Sequence, residues 1–178
     1  MGTSTRRLFF ALWPDEAIRA GIVARRERLG PLTRRRVPGH NLHLTLLFLG
    51  DQPPERVGEI EAAAGQVAGN QCTLVLDRFG WFPGAGVAWL GGEAPEALAQ
   101  LADALRAALL PLGLRLDDRP FRPHVTLFRQ VRQRPRFPAI EPLEWPVTAF
   151  VLVESKPGRP YEVLRRWALD GSALDDGQ

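Results

Sequence analysis

The chain has 178 residues, of which 45% are apolar and 24% charged; that suits one sizeable domain, is short for two ordinary ones, and is far from a disordered composition. Its single cysteine, Cys72, excludes an intrachain disulfide and any cysteine-built zinc or iron–sulfur site. Apolar runs break within about ten residues, well short of a membrane span, and the formal charge is +3.

The opening MGTSTRRLFFALWPDE carries two arginines, but its apolar run is cut by Trp13-Pro14-Asp15-Glu16, so no secretory leader is read and a cytoplasmic protein is expected. Leu8 to Trp13 is the first predicted strand. A helix is expected over 15–29, with Ile18, Ile22 and Leu29 on its apolar side and Arg19, Arg25, Arg26 and Arg28 largely elsewhere. Leu42 to Leu49 is the second strand, stopped by Gly50 and Pro53-Pro54. A helix over 54–68 places Val57, Ile60, Ala64 and Val67 at helical spacing. Thr73 to Phe79 and Val87 to Leu90 read as strands around the turn-rich FPGAG.

The strongest helical pattern is APEALAQLADALRAALLPLG: Pro95 suits a first turn, Leu98, Leu101, Ala102, Leu105 and Leu109 form one face, and Gly113 stops it. Strands are expected at 123–128, 147–154 and 161–169. Pro135 to Pro146 reads as a loop because four prolines fall in it, and the tail 171–178 is expected to fray. Each of two similar stretches, NLHLTLLF and FRPHVTLF, follows a helix and is later followed by two strands. That loose symmetry points to one α+β domain over 1–178. Two pseudo-symmetric lobes face a central cleft, each an antiparallel-rich sheet with helices outside.

Two of the three histidines, His43 and His124, occupy matching places in those stretches, in His-apolar-Thr-apolar order. One histidine in an apolar strand is usually a satisfied core residue; a second copy weakens that account. Period two sets His43 with Thr45, and His124 with Thr126, on one face, while Leu44 and Val125 pack the other. Two imidazoles can divide acid and base work, each near its ordinary pKa of about 6.5. Threonine hydroxyls can donate to phosphate oxygens. Metal binding is the rival reading, but neither motif holds a carboxylate or cysteine, and His40 falls at an odd offset from His43, at the cleft edge. No nucleophile triad or glycine-rich phosphate loop is present. All basic residues except Lys156 are arginine, clustered at 34–36 and between 115 and 136; a codon bias explains this as well as an anionic partner does.

At these residues the sequence resembles the two-histidine (2H) phosphoesterase superfamily, and more narrowly the RNA 2′,3′-cyclic phosphodiesterases, also named 2′-5′ RNA ligases. The likeness spans RLFFALWPDE, NLHLTLLFLG, WFPGAGVAWLG, FRPHVTLFR and LVESKPGRPYEVLRRWAL. It implies that His43 is the proton donor to the leaving oxygen and His124 the base that activates water. Thr45 and Thr126 would hold the phosphate without any metal or cofactor, and Arg129 would contact it. It also implies a monomeric enzyme acting on RNA or oligonucleotides ending in a 2′,3′-cyclic phosphate and leaving a 2′-phosphomonoester. Joining of tRNA halves is the alternative on the same site, and a non-catalytic arginine-rich RNA-binding module the alternative of another kind. Phe128 stands where the family commonly has a smaller residue. Phe9 or Phe10 is expected either to stack a base or to fill the core.

Overall fold

The computed structural model describes residues 2 and 4–171; all but the first residue of the expected frayed tail lies outside them. Nine strands are named: β1 (Arg6–Leu12), β2 (Leu44–Gln52), β3 (Cys72–Leu76), β4 (Arg78–Phe82), β5 (Val87–Gly91), β6 (His124–Phe128), β7 (Leu143–Val147), β8 (Ala149–Ser155) and β9 (Glu162–Ala168). Three helices accompany them: α1 (Glu16–Glu27), α2 (Val57–Gly65) and α3 (Glu96–Leu109). The α+β class read from the sequence holds.

Helix α1 starts where Asp15 caps it, its carboxylate accepting from the Ile18 amide at 2.8 Å. Ile18 and Ile22 are buried as expected, but so is Arg26. The sequence placed Arg26 away from the core; instead its Nη1 donates to the Val37 carbonyl at 2.6 Å. The buried guanidinium thus braces the segment that lies along β6, where the Val37 amide donates to the Leu127 carbonyl. In α3 all five expected leucine and alanine positions are buried, and the chain leaves through a short 3-10 turn to Gly113, whose φ of 76° suits glycine.

Seven strands form one antiparallel sheet in the order β4-β5-β6-β2-β1-β8-β9, and β3 pairs with β7 apart from it. The halves meet at the centre, where β2 and β6 share the single pair Leu44–Val125. The strands that follow each histidine motif do not stay with it. β4 and β5, which come after β2, flank β6, whereas β8 and β9, which come after β6, lie beyond β1 on the far side of β2. The expected strand over 73–79 is two strands in different sheets. The expected loop over 135–146 contains most of β7, and one of the four prolines that argued for a loop, Pro146, pairs with Thr73 in a two-stranded ribbon. Such a ribbon tolerates a residue without an amide hydrogen.

The two sheet faces differ. One carries the main core, with Leu8, Phe10, Leu12, Leu44 and Val125 fully or almost fully buried. The other holds a smaller apolar layer of Phe9, Ala11, Val151 and Val153, with Trp13 and Tyr161 packed on it. Phe10 and Phe128 are therefore core residues.

Candidate active site

The central pair sets the site. With Leu44 opposite Val125, the neighbouring positions in that register are His43 with Thr126 and Thr45 with His124. The flanking strands extend both rows: Ala11 lies opposite Thr45 and Gly91 opposite His124, while Trp89 lies opposite Thr126. Two imidazoles and two hydroxyls thus form a quadrilateral on the face away from the main core. Small residues border one row and indoles border the other.

His43 sits one residue before β2. Its Nδ1 lies 2.7 Å from the Asn41 carbonyl and its Nε2 lies 3.0 Å from Thr45 Oγ1. His124, the first residue of β6, has its Nδ1 2.7 Å from the Arg122 carbonyl. A carbonyl only accepts, so each ring keeps its proton on Nδ1 and leaves Nε2 as the working nitrogen. Both motifs use the same device, a carbonyl two residues upstream. Asn41 is itself buried, and its side-chain oxygen accepts from the Tyr161 amide at 3.0 Å, tying the first motif to the chain before β9.

Aromatic rings surround both imidazoles. Trp13 stacks on His43 at 5.7 Å and 13°, Phe9 lies at 4.7 Å, and Tyr161 meets its edge at 5.6 Å. Phe82 stands edge-on to His124 at 5.0 Å, with Trp89 at 6.2 Å. Phe9 is 4% exposed, so it supports His43 rather than offering a free surface to a base. Sequence reasoning missed Trp13, Asn41, Tyr161, Phe82 and Trp89. Only their presence in the stretches that carry the resemblance could have drawn notice to them.

Burial pushes His43 down to about 4, with Arg129 and His124 adding repulsion and the Asn41 carbonyl opposing the shift. Burial lowers His124 as well, again against its carbonyl partner and with help from Arg129. The expectation of two rings near their ordinary pKa is therefore corrected: burial disfavours the charged form of both, and at neutral pH both imidazoles are neutral. The field of Arg129 reaches both rings, and no other named cation does so. His40 is exposed on the 3-10 turn Gly39–Asn41. Among the described residues no group of three or more His, Cys, Asp or Glu side chains is placed to hold a metal ion. None of the helices described is long and apolar enough to cross a membrane.

Comparison with known proteins places the chain in a family. The family model of the 2′-5′ RNA ligase superfamily matches residues 13–159. A Thermus thermophilus protein named RNA 2′,3′-cyclic phosphodiesterase is 37% identical over 180 residues, covering 93% of this chain and 91% of the relative. An Escherichia coli protein of the same name is 37% identical over 171 residues, covering 92% and 97%. The crystal structure of E. coli LigT complexed with 3′-AMP superposes with a TM-score of 0.81 at 35% identity, covering 93% of this chain and 99% of that one.

Proposed function

The chain belongs to the 2′-5′ RNA ligase superfamily, and on that premise we propose that it opens 2′,3′-cyclic phosphate ends of RNA to 2′-phosphomonoesters. The observation that carries this reading is the matched tautomer of two imidazoles on one quadrilateral with two hydroxyls. Water attacks phosphorus as its proton passes to His124 Nε2. The P–O3′ bond breaks on the opposite side, and the 3′-oxygen takes a proton from His43 Nε2. Thr45 and Thr126 donate to the non-bridging oxygens, and the Arg129 charge offsets the growing negative charge. Each turnover returns both rings to their starting state once the proton gained by His124 is exchanged for the one lost by His43.

The depressed imidazoles fit this sequence of events. Neutral rings carry no buried charge of their own to desolvate, and a phosphate bound beside them favours the proton that His43 donates. No step needs a metal or cofactor. The enzyme works as a monomeric bilobal unit in the cytoplasm. The same site run with a 5′-hydroxyl in place of water gives 2′-5′ joining, by microscopic reversibility. A purely RNA-binding module would leave both His-Thr pairs without a task. The test is incubation with a cyclic-phosphate dinucleotide, with and without chelator. Conversion to the 2′-phosphomonoester under both conditions is expected. Absence of ring opening at high enzyme concentration would overturn the reading, and loss on chelation restored by one divalent ion would overturn its metal independence.

A further inference from the structure

His124 also lines an open cavity of about 370 Å³ whose other lining residues take no step in the mechanism above. Its size is within the usual range for small-ligand sites. Its floor is the Trp89 indole, which lies flat on the sheet because two glycines sit under it. A Cβ at Gly80 would come 2.0 Å from Trp89 Cζ2, and one at Gly91 would come 2.8 Å from Cζ3. Gly80 pairs with Trp89 across β4 and β5, so the platform is built into the sheet rather than hung from a loop. Phe82 leans on the indole at 5.2 Å, and Phe121 adds a further apolar wall. Arg78, Arg122 and Glu93 supply polar groups around it. The indole Nε1 is buried and has no hydrogen-bond partner.

A flat aromatic floor with guanidinium and carboxylate groups around it suits a nucleobase and its ribose. Every base has a π-face to stack, and Arg and Glu can meet base edges and hydroxyls. Position decides which nucleoside. In-line displacement places the attacking and leaving oxygens on opposite sides of phosphorus. If His124 is the base, the group beside it carries the attacking oxygen, not the leaving one. We propose that the cavity floored by Trp89 is an acceptor subsite that binds the nucleoside whose 5′-hydroxyl competes with water. The inference rests on the catalytic roles proposed above. In the step, the 5′-oxygen bonds to phosphorus while His124 takes its proton. The P–O3′ bond breaks and the 3′-oxygen takes the proton from His43, leaving a 2′-5′ diester. No water is consumed, and no other reactant is needed.

Adenosine is the probe. Added alone to the full chain, it shifts the Trp89 indole N–H resonance saturably, and Ala94→Trp, which puts an indole on the lining of this cavity, weakens that binding at least ten-fold. Added with a cyclic-phosphate dinucleotide, it diverts product to a 2′-5′-linked species in a fraction that saturates with its concentration. In Ala94→Trp that fraction falls about ten-fold while hydrolysis of a cyclic mononucleotide stays within about three-fold. A 5′-phosphorylated nucleotide gives no 2′-5′-joined product, because its 5′-oxygen carries no proton for His124 to take. Ring opening without any adenosine-induced shift at Trp89, or a joined fraction unchanged in Ala94→Trp, overturns the subsite and leaves the hydrolase standing. No ring opening together with a saturable Trp89 shift overturns the hydrolase and keeps the cavity as a nucleoside site. On the parent chain alone, absence of the Trp89 shift or of a joined fraction that saturates with adenosine overturns the subsite even if Ala94→Trp fails to fold.

Discussion

The two imidazoles, to which the proposed function assigns the proton transfers, also make stability depend on pH, and the dependence has a definite sign. His43 is lowered to about 4, so between that value and about 6.5 the unfolded chain binds a proton that the native state does not. Stability contributed by the neutral ring is intact above about pH 6.5 and is lost as the pH falls toward 4, by about 3 kcal/mol at most. His43→Gln should flatten that acid limb, which melting curves at pH 7 and pH 4.5 would reveal; equal acid sensitivity in parent and variant would count against the buried-neutral state. On activity, His43→Ala or His124→Ala should cost on the order of 10²–10⁴ in kcat/KM. The double variant should lose far less than the product of the two, since both groups serve one transfer. Thr45→Val and Thr126→Val should lose roughly ten- to a hundred-fold, the worth of a hydrogen bond to a charged group. Single-turnover rates paired with melting curves separate these losses from misfolding. The choice of these four residues as the proposed site rests on the repeated His-x-Thr of the sequence. That the rings are depressed was not legible there, because Trp13 and Tyr161 bury His43 from places far along the chain.

At the scale of elements, local pattern and tertiary demand agree for α3 and part company elsewhere. The leucine face of α3 is a periodicity that neighbouring segments have no reason to overrule. In β2 the alternation breaks after Thr45. A register shift against β1 buries both Leu46 and Leu47 and leaves Phe48 42% exposed, with the Arg7 guanidinium 4.9 Å from its ring centre. Period two is a property of a regular ladder, and a bulge is decided by the partner strand. Arg26 is a second such case. Its helical position reads as a surface charge, yet the Val37 carbonyl needs a donor inside the fold. Arg26→Met should therefore destabilise the protein by about 1–3 kcal/mol, by leaving that carbonyl unpaired. It should also speed hydrogen exchange at the Val37 and Arg129 amides, which pair this segment with β6. A denaturant midpoint and exchange rates equal to the parent's would show that the guanidinium is dispensable.

For the molecule as a whole, backbone pairing merges two arginine runs that are separate in sequence. The Arg129 amide donates to the Arg35 carbonyl at 2.9 Å, Arg36 is bridged to Phe128, and Thr33 Oγ1 donates to the Arg129 carbonyl at 2.8 Å. Arg34, Arg35 and Arg36 are thereby set beside the end of β6, near exposed Arg132 and Arg134. A strand of RNA leaving the cleft on that side would meet them. If three phosphates are contacted, log kcat/KM for a cyclic-ended oligonucleotide should fall with log salt at a slope of about −2. A cyclic mononucleotide should show much less dependence. Equal slopes for the two substrates would assign the arginines to solubility alone.

The pairing of His with Thr on one strand face, the helix faces, most of the strands and the α+β class follow from the sequence, because each depends on neighbours within a few positions. Strand order and ring environment do not. The exchange that places β4 and β5 beside β6, and β8 and β9 beside β1, joins segments that only the folded sheet brings together. So do the second strand of the ribbon at Pro146 and the glycine-floored indole beside His124. The pKa of a histidine is set by how much water its neighbours remove, and those neighbours are chosen by long-range pairing. A motif can therefore announce its atoms in the sequence while their protonation, and the cavity next to them, are decided only by the tertiary fold.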